Sequence, residues 1–168
     1  MDFFALRCQL GVMLQNSNLL SGPIIENIAA GTVVTLDQAW DAEQKAGIAE
    51  DIAALPMGMH TFISEGATNI SVGQRQRLLI ARALVFNPRV LLFDEATSAL
   101  DNRAQAIVSE SLEQLHVTRL VIAHRLSTVR KADRIYVIEQ GRVAQNGTFD
   151  ELASKDGLFV RMKSRQML

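Results

Sequence analysis

The chain has 168 residues, of which 48% are hydrophobic and 21% charged, and its formal net charge at pH 7 is -1. This length and composition favour one globular domain with a hydrophobic core, and the balanced charge argues against a protein that binds nucleic acid through bulk positive charge. Cys8 is the only cysteine, so an intrachain disulfide is excluded and a reducing compartment fits. No apolar run approaches the roughly 20 residues of a membrane-spanning helix, and no signal-peptide pattern is present.

The first third of the chain contains a predicted strand and a predicted helical region. Leu10–Leu14 is a short apolar run that predicts a β-strand, and Gln15 follows it directly. The Ala-rich stretch Leu36–Ala54 predicts one or two short helices that break near Gly47, with Asp37 as a candidate cap. We therefore expect a polar side chain at the end of a strand, followed by a small helical region.

A helix with a strong start signal is predicted in the middle of the chain. Ser71 can cap it, and Gln74 stands three residues later, so the two residues fit a capping box. The helix has an apolar face, and Asn87-Pro88 ends it.

Two carboxylates follow the next predicted strand. Val90–Phe93 is a wholly apolar run, which is typical of a central strand in a parallel sheet, and Asp94 and Glu95 come directly after it. Ligands of open α/β sheets bind at the carboxyl ends of the strands, and adjacent buried acids are costly unless they are paired or bind a cation. Either Asp94 holds Mg²⁺ and Glu95 polarises an attacking water, or the two acids merely cap the next turn.

A further helix and strand are predicted after these acids. Asp101 is placed to cap the helix Asn102–Leu115. Leu120–Ala123 is predicted to be a buried strand, and His124 follows it. A second polar side chain is thus expected at the end of a strand.

The last part of the chain predicts a hairpin and two short helices. Ile135–Ile138 and Arg142–Ala144 flank a Gly-containing turn, which predicts a β-hairpin. Thr148 and Glu151 fit another capping box, and Leu158–Met162 reads as a final helix.

Three motifs in the centre of the chain resemble those of ATP-binding-cassette (ABC) ATPases. They are the signature motif I-S-V-G-Q-R-Q-R, the Walker B strand V-L-L-F-D-E and the D-loop S-A-L-D, in the family's order and spacing. Val72 stands where the usual signature has glycine. The resemblance implies an α/β fold: a P-loop NTPase-like core, with a partial parallel sheet flanked by helices, and an inserted α-helical subdomain. Residues 20–86 would form that subdomain, including the signature helix, and residues 1–19 and 87–168 the core.

The resemblance also implies roles for residues at the ends of the strands. Gln15 lies in a segment that is similar to the family's Q-loop, and this glutamine would reach the metal and the attacking water. Asp94 would hold Mg²⁺ and Glu95 would activate the water. The string A-H-R-L-S-T is similar to the H-loop, so His124 would contact the γ-phosphate of ATP.

In the family, two ATPase domains form a head-to-tail dimer with two nucleotides at the interface. The signature of one domain then meets the ATP held by the other. The residues of this chain that would contact the nucleotide in this way are Ser71, Val72, Gly73, Gln74 and Asp101. The implied cofactors are ATP and Mg²⁺.

A Walker A loop of the form G-x-x-x-x-G-K-[ST] is absent, because none of the four lysines follows a glycine. We therefore expect the chain to be the later part of an ABC ATPase domain, from the Q-loop onward, and to be inactive alone. The full protein would carry Walker A and membrane helices upstream and lie at the cytoplasmic face of the bacterial inner membrane, with this fragment itself soluble. Glu65 would contact the membrane domains, and no nucleic acid partner is expected.

The sequence of the whole chain is similar to those of exporters, above all to those of bacterial exporters of bacteriocins and other peptides with nitrile-hydratase-like leader peptides. The transported peptide would meet the membrane domains and affect this chain only indirectly. Three alternatives remain: an ABC importer ATPase subunit, a non-transport ABC ATPase, or a truncated, non-catalytic domain that binds an intact partner.

Overall fold

The structure of the chain, a computed structural model, describes residues 2–94, 100, 102–115, 117–123 and 126–166. The chain divides into two compact units, Met1–Val121 and Ile122–Leu168. Each unit has a hydrophobic cluster of its own.

The elements up to Ile122 alternate between short strands and helices. In chain order they are α1 (Phe3–Cys8), β1 (Leu10–Met13), β2 (Gly22–Pro23), α2 (Ile24–Ala29), α3 (Leu36–Lys45), α4 (Ala49–Ala53), β3 (Phe62–Ile63), α5 (Val72–Leu84), β4 (Val90–Asp94), α6 (Asn102–Gln114) and β5 (Thr118–Ile122). Single 3₁₀ turns cover Gly58–His60 and Glu65–Ala67.

The strands β1, β4 and β5 form one sheet in the order β1-β4-β5, and β1 runs parallel to β4. Leu10 pairs with Val90 and Met13 with Phe93, so the carboxyl ends of both strands reach the same edge of the sheet. A parallel sheet flanked by helices confirms the predicted α/β class. The predicted strand Val90–Phe93 is also confirmed, and it extends by one residue to Asp94.

The helix α5 packs closely on β1 and is the centre of the main cluster. At Gly11, an added Cβ would overlap the carbonyl oxygen of Ala83 in α5 and would lie 2.6 Å from a methyl group of Leu91. Glycine is therefore required where helix and strand meet. The largest fully buried apolar side chains of this cluster are Ile24, Ile28, Ile48, Ile52, Ile63, Leu78, Ile80, Leu84, Leu91 and Val108.

The predicted helical region Leu36–Ala54 contains α3 and α4, and the break falls at Gly47, whose φ is +67°. The predicted cap was wrong. Thr35, not Asp37, is the N-cap of α3: its hydroxyl accepts a hydrogen bond from the Gln38 backbone N–H, and the Gln38 side-chain oxygen accepts one from the Thr35 backbone N–H. Asp37 lies in the first turn, because a full capping box that begins two residues earlier, at Thr35, satisfies more of the free backbone N–H groups.

The prediction of a buried strand at Leu120–Ala123 was wrong in two respects. The strand β5 begins at Thr118 and ends at Ile122, and all five of its residues are exposed. Within the described residues β5 lies at an edge of the three-stranded sheet, so no described strand pairs with its outer side.

The second unit begins with a helix that was not predicted from the sequence, α7 (Leu126–Arg130). The predicted elements follow in the predicted order: β6 (Ile135–Glu139), β7 (Arg142–Gly147), α8 (Phe149–Ala153) and α9 (Leu158–Gln166). The hairpin is confirmed: β6 and β7 pair antiparallel around Gln140 and Gly141, which both have positive φ, as a type I′ turn requires. Val137, Leu152 and Phe159 form the small core, and the Thr148–Glu151 capping box is present.

Among the residues that the structure describes, no helix combines the length and the apolar character needed to cross a lipid bilayer.

One carboxyl group of the main cluster is buried without a hydrogen-bond partner. Glu43 is buried on α3 together with Ala39 and Ala42, and its side chain is 0% exposed. Neither carboxyl oxygen forms a hydrogen bond. Burial penalises the charged form and raises the pKa of Glu43 to about 8, so the group is protonated at neutral pH.

We expect the stability of the chain to fall as the pH rises from about 4.5 to about 8, the ordinary and the raised pKa of Glu43. In this window the folded chain retains a proton that the unfolded chain loses, so the free energy of unfolding decreases with pH and levels off above the folded pKa. Urea unfolding at a series of pH values measures this slope. Glu43→Gln should flatten it, while Glu110→Gln on an exposed position of α6 should not; equal slopes for the wild type and Glu43→Gln would contradict the prediction.

Candidate functional site

The structure brings two of the predicted site residues to one edge of the sheet. Gln15 follows β1 by two residues and Asp94 ends β4, and these strands are parallel neighbours in register. The turn that carries Gln15 is closed by a hydrogen bond of 3.0 Å from the Leu14 backbone N–H to the Ser17 hydroxyl. Gln15 is exposed and Asp94 is half-buried, so both side chains reach the surface at this edge.

Three further predicted residues, Glu95, Asp101 and His124, lie outside the described residues. Their roles in water activation, nucleotide binding and phosphate sensing therefore stay predictions. At this edge of the sheet, Asp94 and Gln15 carry oxygens of the kind that Mg²⁺ binds, since hard cations prefer carboxylate and amide oxygen.

The predicted capping box at the start of α5 is confirmed. The Ser71 hydroxyl accepts a hydrogen bond of 3.1 Å from the Gln74 backbone N–H, and the Gln74 side-chain oxygen accepts one of 2.9 Å from the Ser71 N–H. Ser71 is exposed, and Val72 is 57% exposed. The first turn of this 13-residue helix therefore faces solvent, and its backbone N–H groups and dipole favour an anion there.

Glycine at position 73 is not required by the packing of the subunit. An added Cβ would have only the Ser71 hydroxyl oxygen as a near neighbour, at 4.0 Å. Within a helix, glycine is less favourable than alanine by up to about 1 kcal/mol. Gly73 therefore weakens the helix although no neighbouring atom requires a glycine there. Its missing side chain leaves room beside Ser71, and this room fits the close approach of a phosphate group to the helix end.

A contact with α4 that the sequence did not reveal holds the first turns of α5. Asp51 accepts a hydrogen bond of 3.2 Å from the Gln74 side-chain amide and forms an ion pair of 2.8 Å with Arg77. Arg77 also donates to the backbone oxygen of Gly47, in the bend between α3 and α4. The periodicity of the sequence does not indicate these pairs, because the partners are 23 to 30 residues apart.

Within the described part of the chain, the two groups of site residues lie on different elements. The hydrogen bonds of Ser71 and Gln74 run to each other and to Asp51, whereas Gln15 and Asp94 lie at the sheet edge. A cavity of about 580 Å³ opens at the other end of the strands, where it is lined by the first residues of β1, β4 and β5. We assign no chemistry to it, because ligands of such sheets bind at the carboxyl ends.

Comparison with known proteins agrees with the fold and the motifs, which together define an ATP-binding domain. A family model described as ABC transporter matches residues 4–98. The alpha-hemolysin translocation ATP-binding protein HlyB of Escherichia coli O157:H7 is 45% identical over 165 residues, which are 96% of this chain and 23% of HlyB. The ATP-dependent lipid A-core flippase of Bordetella pertussis is 44% identical over 166 residues, 96% of this chain and 27% of the flippase.

A solved structure supports the same relationship. A bacterial Atm1-family ABC exporter with ATP bound superposes with a TM-score of 0.91 at 41% identity, over 98% of this chain and 29% of that one. The chain thus spans about a quarter of the length of the relatives it matches. It belongs to the ABC transporter family, and its fold is that of an exporter-type ABC ATPase core.

We expect Ser71→Ala to lower the free energy of unfolding by about 1 kcal/mol, because the hydroxyl satisfies a backbone N–H group at the start of α5. Urea unfolding followed by circular dichroism measures the change. Ser71→Asp, whose carboxylate also caps a helix, should stay close to the wild type; equal losses for both substitutions would show that the capping bond is not the cause.

Proposed function

We propose that the chain is the ATP-binding and ATP-hydrolysing part of an ABC exporter and couples ATP hydrolysis to transport across a membrane. The observation that carries this proposal is the exposed, capped start of α5, where Gly73 keeps the space beside Ser71 open. Family membership supports the same conclusion, since the similar proteins are named as ATP-binding or ATP-dependent transporters.

Two groups of residues have different roles in this proposal. Gln15, Asp94, Glu95 and His124 serve a nucleotide bound at the carboxyl edge of their own sheet. Glu95 accepts a proton from the attacking water, Gln15 orients that water, and His124 contacts the terminal phosphate. Asp94 and Gln15 would hold Mg²⁺, which would supply positive charge next to the phosphate oxygens.

The second group acts on a nucleotide that is held by a partner ATPase domain in a head-to-tail dimer. It contains Ser71, Val72, Gly73, Gln74 and Asp101. Helix-end N–H groups and the Ser71 hydroxyl bind the terminal phosphate, so ATP joins the two domains and hydrolysis releases them.

The remaining parts of the proposal concern the whole protein. Residues 20–86 form the helical subdomain, and the exposed Glu65 meets membrane domains that lie upstream, at the cytoplasmic face of a bacterial inner membrane. We propose a peptide of the bacteriocin type as the cargo, because the sequence of the chain resembles those of bacteriocin exporters. The names of HlyB and the flippase refer to alpha-hemolysin and to lipid A-core, so cargo differs among close relatives.

Gly73→Ala tests the role of the start of α5. In a chimera that joins a relative's Walker A segment to the start of this chain, we expect it to reduce ATP turnover by at least about 10-fold, because the new methyl group occupies the space for a phosphate. The stability of the chain should be unchanged or higher, since alanine is the better helix former. Glu110→Ala, on an exposed position of α6, is the matched control.

An active wild-type chimera whose turnover is unaffected by Gly73→Ala would contradict the role of this helix end. A wild-type chimera without turnover, under conditions in which the parent relative is active, would contradict the proposed ATPase function itself.

We also propose that the 168-residue chain alone neither hydrolyses ATP nor binds it tightly, because it has no G-x-x-x-x-G-K-[ST] loop to surround the phosphates. Phosphate release by the purified chain at millimolar ATP and Mg²⁺ measures this. Turnover that Glu95→Gln abolishes would show that the loop is dispensable.

A second candidate function is a truncated domain that binds an intact partner without catalysis. The observation that favours it is the start of α5, which is fully formed in a chain without Walker A. ATP-dependent binding of the chain to a complete ABC ATPase domain, with no turnover in the chimera, would favour this candidate over the first.

A further inference from the structure

A buried asparagine organises the segment that follows the turn of Gln15. Asn27, on α2, is 4% exposed. Its side-chain oxygen accepts a hydrogen bond of 2.8 Å from the Leu20 backbone N–H, and its amide donates bonds of 2.9 Å to the Leu20 oxygen and 3.2 Å to the Pro23 oxygen. One side chain thus fixes both polar groups of Leu20, as a paired strand would.

An arginine of α5 completes this arrangement from the other side. Arg82 donates from Nε to the Asn27 backbone oxygen at 2.6 Å, from Nη2 to the Asn27 side-chain oxygen at 3.0 Å, and from Nη1 to the Asn18 backbone oxygen at 3.0 Å. The partners are 55 and 64 residues away in sequence. All three nitrogens of the guanidinium therefore bind the segment around Asn18 and Asn27.

Burying the charged guanidinium of Arg82 costs free energy, which indicates that this contact has a specific geometry. Burial lowers the pKa of Arg82, which shows that the cation is partly desolvated. The hydrogen-bond acceptors named above are neutral oxygens, so the bonds offset desolvation without forming an ion pair. An apolar side chain of similar length could fill the space, but it would not fix the position of the Asn18–Leu20 segment.

The contact connects the two groups of site residues. Asn18 adjoins Ser17, which closes the turn of Gln15 through the Leu14 N–H. Arg82 belongs to the same 13-residue helix that Ser71 caps. A helix is stiff over this length, so the Gln15 turn and the Ser71 end of α5 are attached to one body.

We propose that Arg82 and Asn27 are positioning residues that hold the Gln15 turn at a fixed distance from the phosphate-facing end of α5. The proposal rests on the function proposed above. Neither side chain touches the nucleotide; both set where Gln15 and Ser71 stand relative to each other when ATP is cleaved.

A distance measurement on the chain itself tests the geometric part. Spin labels are attached at Asn16 and Val72, both exposed, in a chain with Cys8→Ser, and amide hydrogen exchange is followed at Leu20. Arg82→Lys keeps the charge but cannot match three acceptors with one ammonium group. We expect it to broaden the distance distribution, and Asn27→Leu to speed exchange at Leu20 at least about 10-fold, because the amide loses its acceptor.

Arg77→Lys is the matched control, since Arg77 is the other arginine of α5 that binds a distant element, through Asp51 and Gly47. It should leave exchange at Leu20 unchanged. If Asn27→Leu does not fold, Asn27→Asp retains the oxygen that accepts from Leu20 and Arg82 but loses the two amide donations, and an intermediate rate is expected. Distances and exchange rates equal to the wild type in Arg82→Lys and in Asn27→Asp would overturn the proposal.

The catalytic part is tested in the Walker A chimera. We expect Arg82→Lys to lower kcat about 10-fold while KM for ATP changes less than about 2-fold, because small misplacements of reacting groups reduce turnover more than binding. Arg89→Lys, at an exposed arginine, should leave both values unchanged. An active chimera in which Arg82→Lys retains kcat would overturn the positioning role, whereas an inactive wild-type chimera would count against the proposed ATPase and leave the distance measurement to decide the geometry.

Discussion

The close packing of α5 on β1 is the constraint on which the rest of the first unit depends. Gly11 has no side chain, and this lets the backbone of α5 approach the strand at Ala83. The same helix contacts α2 and α3, so its position is set from several sides by burial of apolar side chains. Because the helix is one rigid body, this packing also sets where its exposed start, with Ser71, stands above the rest of the unit.

Polar groups inside the unit fall into two kinds. Arg77 and Arg82 are partly buried and hydrogen-bonded to oxygens of distant elements, where the planar guanidinium can bind more than one acceptor. Glu43 is fully buried and has no partner, so it remains protonated at neutral pH. The arginines therefore specify the positions of neighbouring segments, whereas Glu43 only makes the stability of the fold depend on pH.

The proposed site is built from two halves with complementary charge preferences. The carboxyl edge of the sheet presents the oxygens of Gln15 and Asp94, which suit a cation, and the start of α5 presents N–H groups, which suit an anion. A magnesium–nucleotide complex needs both. The two halves lie on different elements of one chain, and in the proposed head-to-tail dimer a half from each subunit would meet at one nucleotide. The contact of Arg82 with Asn27 would then hold both halves of a subunit at a fixed distance from each other.

Local features of this protein were determined by the sequence alone, because they depend on neighbouring residues. The capping box of Ser71 and Gln74, the strand after Asn87-Pro88, the break at Gly47 and the hairpin turn at Gln140-Gly141 follow from hydrogen bonds and dihedral preferences within a few residues. The motifs likewise identified the family. Only the tertiary structure decided the partners of Arg77 and Arg82, the burial of Glu43 and the exposure of β5. Contacts across 23 to 64 residues depend on how helices pack, and no pattern of neighbouring residues records that.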